Sequence, residues 1–174
     1  MLNRRALLSA GAAIAPAMLL TMGTSRVARA AGCTLRRGDV IQWINRYSAA
    51  WRNKDADGAA LLFTEDAIYQ ALPGVASQTF VGRAAIHDYW AGITAGQSGV
   101  TILHGEPIVQ GARALIELWV TMQVPALNPD PGHWVTLIES NVLTFDDTAH
   151  VSHNVEYWNL QTGALTPPEG WGEP

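Results

Sequence analysis

Side chains that can exchange a proton near neutral pH lie on strand-like segments in the second half of the chain. Strict alternation along the last segment places His153 and Tyr157 on one face. Imidazole titrates near neutral pH, so His153 is the first candidate for a general base. Glu139 is the second, and burial would raise the pKa of its carboxyl group. The alternative is structural: His153 could be hydrogen-bonded to the sheet, and Glu117, Glu139 and Glu156 could be outward-facing cross-strand partners.

The sequence shows no clear pattern for a metal site, a phosphate-binding loop or a catalytic nucleophile. The five histidines are scattered, and His150 and His153 would point to opposite faces of the sheet, so a shared metal ion is not expected. The chain contains no glycine-rich phosphate loop and no Gly-x-Ser-x-Gly motif. Its only cysteine, Cys33, excludes an internal disulfide and stands too early to be a positioned nucleophile. The sequence therefore predicts neither a metal nor a cofactor.

Three helices are predicted in the first half of the chain. Apolar residues at 40, 44, 47 and 51 recur at helical spacing, with Asp39 placed to cap the start. A second helix, capped by Asp57, is expected over 58–63, and a third over 82–90. A short strand at 67–72 lies between them.

Four longer strand-like segments fill the second half, at 100–110, 112–124, 133–145 and 150–160. Because helices come first and consecutive hairpins follow, we expect an α+β fold with the helices on one face of an antiparallel sheet. One domain should span 38–160. A leader at 31–37 would precede it, and a loosely ordered Pro/Gly-rich tail at 161–174 would follow.

The N-terminus has the organisation of an export signal. Arg4 and Arg5 precede an uncharged stretch at 6–25, and Ala28-Arg29-Ala30 is a small-x-small cleavage site. The paired arginines indicate a twin-arginine signal peptide over 1–30 and a periplasmic or secreted protein. The stretch is weakly apolar and broken by Pro16, so a permanent membrane span is not expected. A loose lipoprotein-like box ending at Cys33 leaves lipid anchoring as an alternative.

Charge excludes two classes of partner. Removing residues 1–30 takes away four of the 11 Lys and Arg residues and none of the 15 Asp and Glu residues, which leaves a formal charge of −8. An acidic chain without a basic cluster argues against nucleic acid and against anionic membrane surfaces. A small molecule is the remaining partner.

The order of these elements resembles the NTF2-like superfamily. The segments 47–51, 55–57 and 62–67 resemble its opening, and 82–90 resembles its third helix. The segments 143–147 and 155–159 are similar to the last hairpin of its SnoaL-like branch. The resemblance covers about 38–160. It implies a cone, in which three helices pack on a curved antiparallel sheet around an apolar pocket, and a homodimer formed through the outer face of the sheet.

The resemblance also suggests roles for individual residues. Tyr47 matches the first-helix tyrosine of the ketosteroid isomerase branch, and Trp90 matches a supporting aromatic residue. The two aspartate positions of that branch fall on Ala71 and Asn141. Alanine cannot accept a proton, so ordinary steroid isomerisation is not expected. The amide of Asn141 can still donate a hydrogen bond to an oxyanion at any pH.

Two functions follow. The first is a cofactor-independent proton-transfer enzyme of the isomerase, cyclase or dehydratase type, acting on a small apolar carbonyl compound. Its catalytic residues would be His153, Tyr47 and Asn141, with Tyr69, Trp90, Glu139 and Tyr157 binding the ligand. The second is an exported domain that binds a hydrophobic small molecule without chemistry, which the alanine at 71 favours. Tyr47 could then be a buried ring with a satisfied hydroxyl, and Asn141 a bridge between backbone groups.

Overall fold

The computed structural model describes residues 35–173. Within this range the chain forms helices α1 (Arg37–Asn53), α2 (Ala56–Ala60) and α3 (Arg83–Ala95). The apolar stripe of α1 is buried as expected. Its N-cap is Arg36, however, and the carboxylate of Asp39 accepts a hydrogen bond from the Arg36 backbone N–H at 3.0 Å. Asp39 therefore helps to begin the helix from its first turn rather than from the cap position.

The helices pack on one face of a seven-stranded sheet formed by residues 63–162. Its strands are β1 (Phe63–Gln70), β2 (Thr79–Val81), β3 (Ser98–His104), β4 (Ile108–Gln110), β5 (Arg113–Gln123), β6 (Trp134–Phe145) and β7 (Val151–Thr162). The strand order is β2-β1-β7-β6-β5-β3, and β4 pairs with β5. The expected α+β arrangement of three helices on a curved, mostly antiparallel sheet is confirmed.

One pairing departs from the antiparallel expectation. β1 and β7 run parallel, with Tyr69 opposite Asn154. Hairpins force antiparallel neighbours, but these two strands are separated by most of the domain, so no hairpin constrains their direction. This pairing brings a residue from the start of the sheet beside residues from its last strand.

A bulge in β7 decides which residues face the helices. Phe145 lies opposite Val151, but Thr144 lies opposite His153, so Ser152 is an extra residue in β7. An extra residue reverses the alternation of every side chain that follows it. Beyond the bulge, Asn154 and Glu156 are buried under the helices on the face that we call the inner face.

Aromatic rings join the helices to one another and to the sheet. The ring of Tyr47 stacks on Trp43 with centroids 4.9 Å apart and meets Trp90 edge-on at 4.9 Å. Trp90 in turn meets Trp51 edge-on at 5.4 Å. Each buried ring of this kind contributes about 2–3 kcal/mol through removal of apolar surface from water. The cluster fixes α1 and α3 above the inner face.

The residues after β7 lie across the outer face of the sheet. The backbone N–H of Leu165 donates to the hydroxyl of Thr136 at 2.9 Å, and the ring of Trp171 meets that of Trp119 at 6.1 Å. β7 continues past the expected domain end at residue 160. The mobility of the tail stays a prediction.

The helices among the described residues can be compared with the length and apolarity that a membrane span requires. Within 35–173, no helix is both long enough and apolar enough to cross a bilayer. The predicted signal peptide at 1–30 and Cys33 lie outside the described residues.

Candidate active site

A cavity of about 60 Å³ lies between α1, α3 and the inner face of the sheet. Its apolar walls combine five aromatic residues with five aliphatic ones: Trp51, Tyr69, Tyr89, Trp90, Trp158, Ala71, Ile93, Met122, Leu137 and Leu160. Two carboxyl groups, those of Glu139 and Glu156, complete the wall on the sheet side. The cavity is therefore an apolar space with two ionisable groups at one end, which is the usual composition of a small-molecule site.

Glu156 is held by donors from three parts of the chain. Its side chain lies on β7 and is buried. Its Oε1 accepts hydrogen bonds from the hydroxyl of Tyr47 on α1 at 3.2 Å, from the hydroxyl of Tyr69 on β1, and from Nδ2 of Asn154 at 3.2 Å. Its Oε2 has no hydrogen-bond partner among residues 35–173. One oxygen is thus fixed by the protein, and the other remains available to a molecule in the cavity.

Glu139 lies beside it on β6. Its Oε1 accepts a hydrogen bond from Nδ2 of Asn141 at 3.2 Å, and Asn141 lies directly opposite Glu156 in the β6–β7 pairing. Glu139 Oε2 is buried and has no partner in the described part of the chain. Buried carboxyl oxygens normally have partners, so this one marks a position where a ligand could supply a donor.

The environment of the two carboxyl groups determines how readily each of them ionises. Burial raises the pKa of Glu156 to about 7, although hydrogen bonds from Tyr69, Asn154 and Tyr47 oppose that shift. Burial and the neighbouring charge of Glu156 raise the pKa of Glu139 well above its usual range. Two adjacent buried carboxyl groups cannot both ionise cheaply. An ionised Glu156 therefore disfavours ionisation of Glu139.

Tyr89 adds a free donor. It lies on α3, its ring is tilted against that of Tyr69 at 5.3 Å, and its hydroxyl has no hydrogen-bond partner within residues 35–173. Burial and the charges of Glu156 and Glu139 raise the pKa of Tyr89 well above its usual value, so its hydroxyl stays protonated. It can donate a hydrogen bond to an oxygen atom in the cavity.

The structure brings most of the expected inward-facing residues together. Tyr69, Trp90 and Glu139 line the cavity, and their role in ligand binding stays a prediction. Tyr47 and Asn141 are fully buried beside it and hold the two carboxyl groups instead of lining the cavity themselves. Asn141 therefore acts on Glu139, not directly on a substrate oxygen.

The expected orientation of His153 and Tyr157 was wrong. Both follow the bulge at Ser152, so they lie on the outer face. Tyr157 is 57% exposed, and Nε2 of His153 lies 3.2 Å from Oε1 of Gln70. Partial burial and the charge of Arg113 lower the pKa of His153. The interpretation of Glu156 as an outward-facing residue was wrong for the same reason.

Sequence reasoning missed Glu156 and Tyr89 as site residues. An antiparallel pairing of β6 with β7 places Glu156 opposite Asn141, which sequence reasoning had placed inward. A hairpin register that allowed for one extra residue near 152 would have found it. No pattern in the sequence marks the bulge itself. Tyr89 was visible only as part of an apolar helical stripe.

A second groove, of about 430 Å³, lies between α1, β3 and the tail. Its ionisable side chains are those of Arg52, which is exposed, and His104, which is half-buried. It contains no buried carboxyl group. Among residues 35–173, no three His, Cys, Asp or Glu side chains are grouped so that they could hold a metal ion. The buried glutamate pair is thus the stronger candidate for chemistry.

Several solved structures have a similar fold. SalBIII, an epoxide hydrolase/cyclase-like enzyme with a role in pyran ring formation in the polyether salinomycin, aligns with a TM-score of 0.59 and 20% identity. That alignment covers 71% of this chain and 95% of SalBIII. A protein of Catenulispora acidiphila DSM 44928 with a ketosteroid isomerase-like fold, in complex with trimethylamine, aligns with a TM-score of 0.56 and 18% identity over 67% of this chain and 84% of its own.

An LEH-like epoxide hydrolase of M. tuberculosis aligns with a TM-score of 0.55 and 14% identity, over 70% of this chain and 84% of its own. At these identities the similarity shows a shared fold. No functionally curated protein sequence matches this chain. A family model for a SnoaL-like domain matches residues 44–153, which is well over half of the 174 residues. The chain therefore belongs to the SnoaL-like domain family.

Proposed function

We propose that the protein is a cofactor-independent proton-transfer enzyme in which Glu156 is the general base. The observation that carries this proposal is the Glu156 carboxylate, with Oε1 fixed by three donors and Oε2 free at the wall of an aromatic cavity. A base with a pKa near the working pH combines a useful ionised fraction with a strong tendency to take a proton. Glu156 replaces His153, which lies on the other face.

The reaction fits the isomerase, cyclase or dehydratase type on a small carbonyl compound. Oε2 of Glu156 takes a proton from the carbon next to the carbonyl group, and the electron pair of that C–H bond moves to the carbonyl oxygen. The hydroxyl of Tyr89 donates a hydrogen bond to the resulting oxyanion. Glu156 then returns the proton to a different atom of the substrate. Tyr47, Tyr69 and Asn154 keep the carboxylate in place and do not contact the reacting atoms.

The proposal predicts a large effect of one charge-removing substitution. In D₂O, exchange of the hydrogen next to the carbonyl group in a panel of small cyclic ketones should be catalysed by the wild-type protein. Glu156→Gln should lower that rate by about 10²–10⁴-fold, since an amide cannot accept the proton. NMR of the ketones measures the exchange. Glu117→Gln, which changes an exposed glutamate on β5, is the matched control.

The same exchange experiment distinguishes Glu156 from His153, the base that the sequence pattern predicts. His153→Gln should leave the exchange rate within about twofold of wild type, since the ring lies outside the cavity. Exchange that survives in Glu156→Gln but disappears in His153→Gln would contradict the proposed role of Glu156.

The aromatic cavity also supports a second candidate function, in which the domain binds a small molecule without chemistry. The neighbour from Catenulispora acidiphila holds trimethylamine within the same fold. If Glu156→Gln binds a small amine or ketone as tightly as wild type, and neither protein exchanges any hydrogen, binding alone is the function.

We further infer export and self-association. The twin-arginine pattern at 4–5 supports release of a mature chain beginning near residue 31, outside the cytoplasm. Exposed apolar residues on the outer face, among them Leu103 and Ile108, support a homodimer through the sheet. Native mass spectrometry of the protein from its host's periplasm measures both the N-terminus and the oligomer mass. A monomer would contradict the dimer, and a lipid-modified Cys33 would contradict free release.

A further inference from the structure

We propose that the molecule bound in this cavity carries a positively charged amine, and that Glu139 is the residue that binds its ammonium group. This inference rests on the proposed function for the location of the site, and it names the chemical class of the substrate. Glu139 then has a role different from that of Glu156: it recognises the substrate, and Glu156 removes the proton.

The first observation is that both carboxyl groups in the wall have an unpartnered oxygen, whereas the unpartnered donors there, Nε1 of Trp90 and the hydroxyl of Tyr89, are neutral. Oε2 of Glu139 is buried without a partner, and the hydrogen bonds that Glu156 accepts from the described residues all reach its Oε1. Two further polar side chains in the wall, Gln78 and Gln97, are amides. Among residues 35–173, no lysine, arginine or histidine lines the cavity. The protein therefore supplies two carboxyl groups without a cation, and a ligand with N–H donors and a positive charge completes the arrangement.

The second observation is the aromatic wall. Five rings, those of Trp51, Tyr69, Tyr89, Trp90 and Trp158, surround the space in front of the carboxyl groups. The rings of Trp90 and Trp51 meet edge-on at 5.4 Å, so the edge of one packs against the face of the other. The faces of such rings attract cations, with tryptophan the most effective. The combination of rings and carboxyl groups suits an alkylammonium group better than a neutral polar group.

The remaining titratable groups around the cavity agree with this choice. Tyr89 on α3 and Tyr69 on β1 are neutral donors, while Glu139 on β6 and Glu156 on β7 are the ionisable acids. A carboxylate or phosphate ligand would bring a further negative charge against both acids without a basic residue to offset it. A neutral alcohol would satisfy one acceptor but would leave the charge uncompensated. Only a cation meets both needs.

The volume limits the size of the recognised group. A cavity of about 60 Å³ holds about four to six water-sized groups, at about 10–15 Å³ each. A branched alkylammonium group of four heavy atoms fits this space. A larger substrate would place its ammonium end here and extend outward.

A bound ammonium also changes the protonation of the pair. Its charge favours the ionised form of Glu139, which an ionised Glu156 disfavours. Binding should therefore release up to one proton per site at pH 7. Both carboxylates are then charged, and Oε2 of Glu156 remains available as the base. Recognition of the cation and activation of the base are coupled in this way.

The test uses two probes of the same shape, isopropylammonium chloride and 2-propanol, with sodium chloride added to equalise ionic strength. Both have four heavy atoms, and a primary amine is protonated at pH 7 as lysine is. Isothermal titration calorimetry of the full chain, in two buffers of different ionisation enthalpy, measures affinity and proton release together. We expect the dissociation constant for the ammonium to be at least tenfold lower than that for the alcohol, with proton release.

Variants identify the responsible carboxyl group. Glu139→Gln should reduce the preference for the ammonium to less than about threefold and abolish proton release, whereas Glu117→Gln should retain both. Circular dichroism of each variant checks that it is folded. Because glutamine keeps the shape and can donate a hydrogen bond, the inner face should tolerate it. Trp90→Phe, with a weaker ring face, should lower affinity for the ammonium more than for the alcohol.

Equal affinity for the two probes, no binding of either below 50 mM, or an unchanged preference in Glu139→Gln would each overturn this inference. Its failure is distinguishable from failure of the proposed function. A preference for the ammonium without Glu156-dependent hydrogen exchange would support the cation site and contradict the proposed enzyme activity. Glu156-dependent exchange with equal affinity for the two probes would support the enzyme activity and contradict the cation site.

Discussion

The carboxyl group of Glu156 is subject to two opposing influences. Burial disfavours its charge, while hydrogen bonds from Tyr47, Tyr69 and Asn154 favour it. The balance leaves the pKa at about 7, so that part of the population is ionised at neutral pH. A base buried without donors would stay protonated, and a base with donors in water would be too weak. The three donors therefore tune the group as well as hold it.

Removal of one donor should shift the pH dependence of the reaction. In the wild-type protein, kcat/KM should rise with pH and reach half its maximum near pH 7, because Glu156 must be ionised. Tyr69→Phe takes away a hydrogen bond to the charged form, so the midpoint should move upward by about one pH unit. Initial rates between pH 5 and 9 measure it. Tyr157→Phe, at an exposed tyrosine, should leave the midpoint unchanged, and a downward shift in Tyr69→Phe would contradict the argument.

Sequence reasoning found one half of this site and missed the other. Glu139, Asn141, Tyr47 and Tyr69 were placed inward correctly, because alternation and helical spacing are regular around them. Glu156 was assigned to the wrong face because one extra residue, at 152, reverses the alternation in β7. A bulge depends on the pairing of strands in space, and short-range patterns do not contain it. The residue that we propose as general base was missed for that reason.

At the scale of elements, the hydroxyl group of Thr136 joins the tail to the sheet at two backbone groups. The hydroxyl of Thr136, on the outer face of β6, donates to the carbonyl oxygen of Gly163 at 2.8 Å and accepts from the N–H of Leu165 at 2.9 Å. Thr136 is fully buried. The hydroxyl group thus satisfies two backbone groups of the chain that follows β7 and fixes the path of the tail.

Replacing that hydroxyl group with a methyl group should be costly. Thr136→Val leaves the Gly163 carbonyl and the Leu165 N–H without their partner, so the free energy of unfolding should fall by about 1–3 kcal/mol. Urea denaturation followed by tryptophan fluorescence measures the loss. Thr101→Val, at an exposed threonine on β3, is the control and should change stability by less than about 0.5 kcal/mol. Equal stabilities of the two variants would show that the tail contact is not important.

The element order was the most predictable part of the fold. Helical spacing in 40–51 and strand-like runs in 112–124 and 133–145 matched α1, β5 and β6 closely. The first strand begins earlier than expected, at Phe63, where a helix was predicted to end. Short segments rich in Ala and Phe suit either state, and pairing with β2 and β7 decides in favour of the strand. The parallel direction of β1 against β7 has no local sequence signal.

At the scale of the whole molecule, the buried glutamate pair links stability to pH. Burial raises the pKa of Glu156 from 4.5 to about 7, and burial together with the charge of Glu156 raises the pKa of Glu139 well above its usual range. Both groups therefore hold more protons in the folded than in the unfolded state above about pH 4.5. By linkage, the free energy of unfolding is greatest for these groups below pH 4.5 and falls as pH rises through 7. A site of this kind makes the protein less stable in alkaline solution.

Removing one of the two ionisable groups should reduce that dependence. At pH 8, Glu139→Gln should be more stable than wild type, because the amide cannot acquire a buried charge. At pH 5 the two proteins should differ by much less. Urea denaturation at several pH values measures the difference, and Glu117→Gln should follow the wild-type curve. Parallel curves for Glu139→Gln and wild type would mean that the pair does not control stability.

The parallel pairing of β1 with β7 has a consequence for the order of assembly during synthesis. Tyr69 lies on the first strand of the sheet, whereas Asn154 and Glu156 lie on the last, so the hydrogen bonds around the base join parts of the chain made at opposite ends of translation. Such distant contacts slow folding, because a long loop must close before they form. A nascent chain that lacks 151–162 contains neither Glu156 nor the strand β7 that pairs with β1. Occupancy of the cavity by a ligand therefore reports that synthesis of the domain is complete and that its two ends have met.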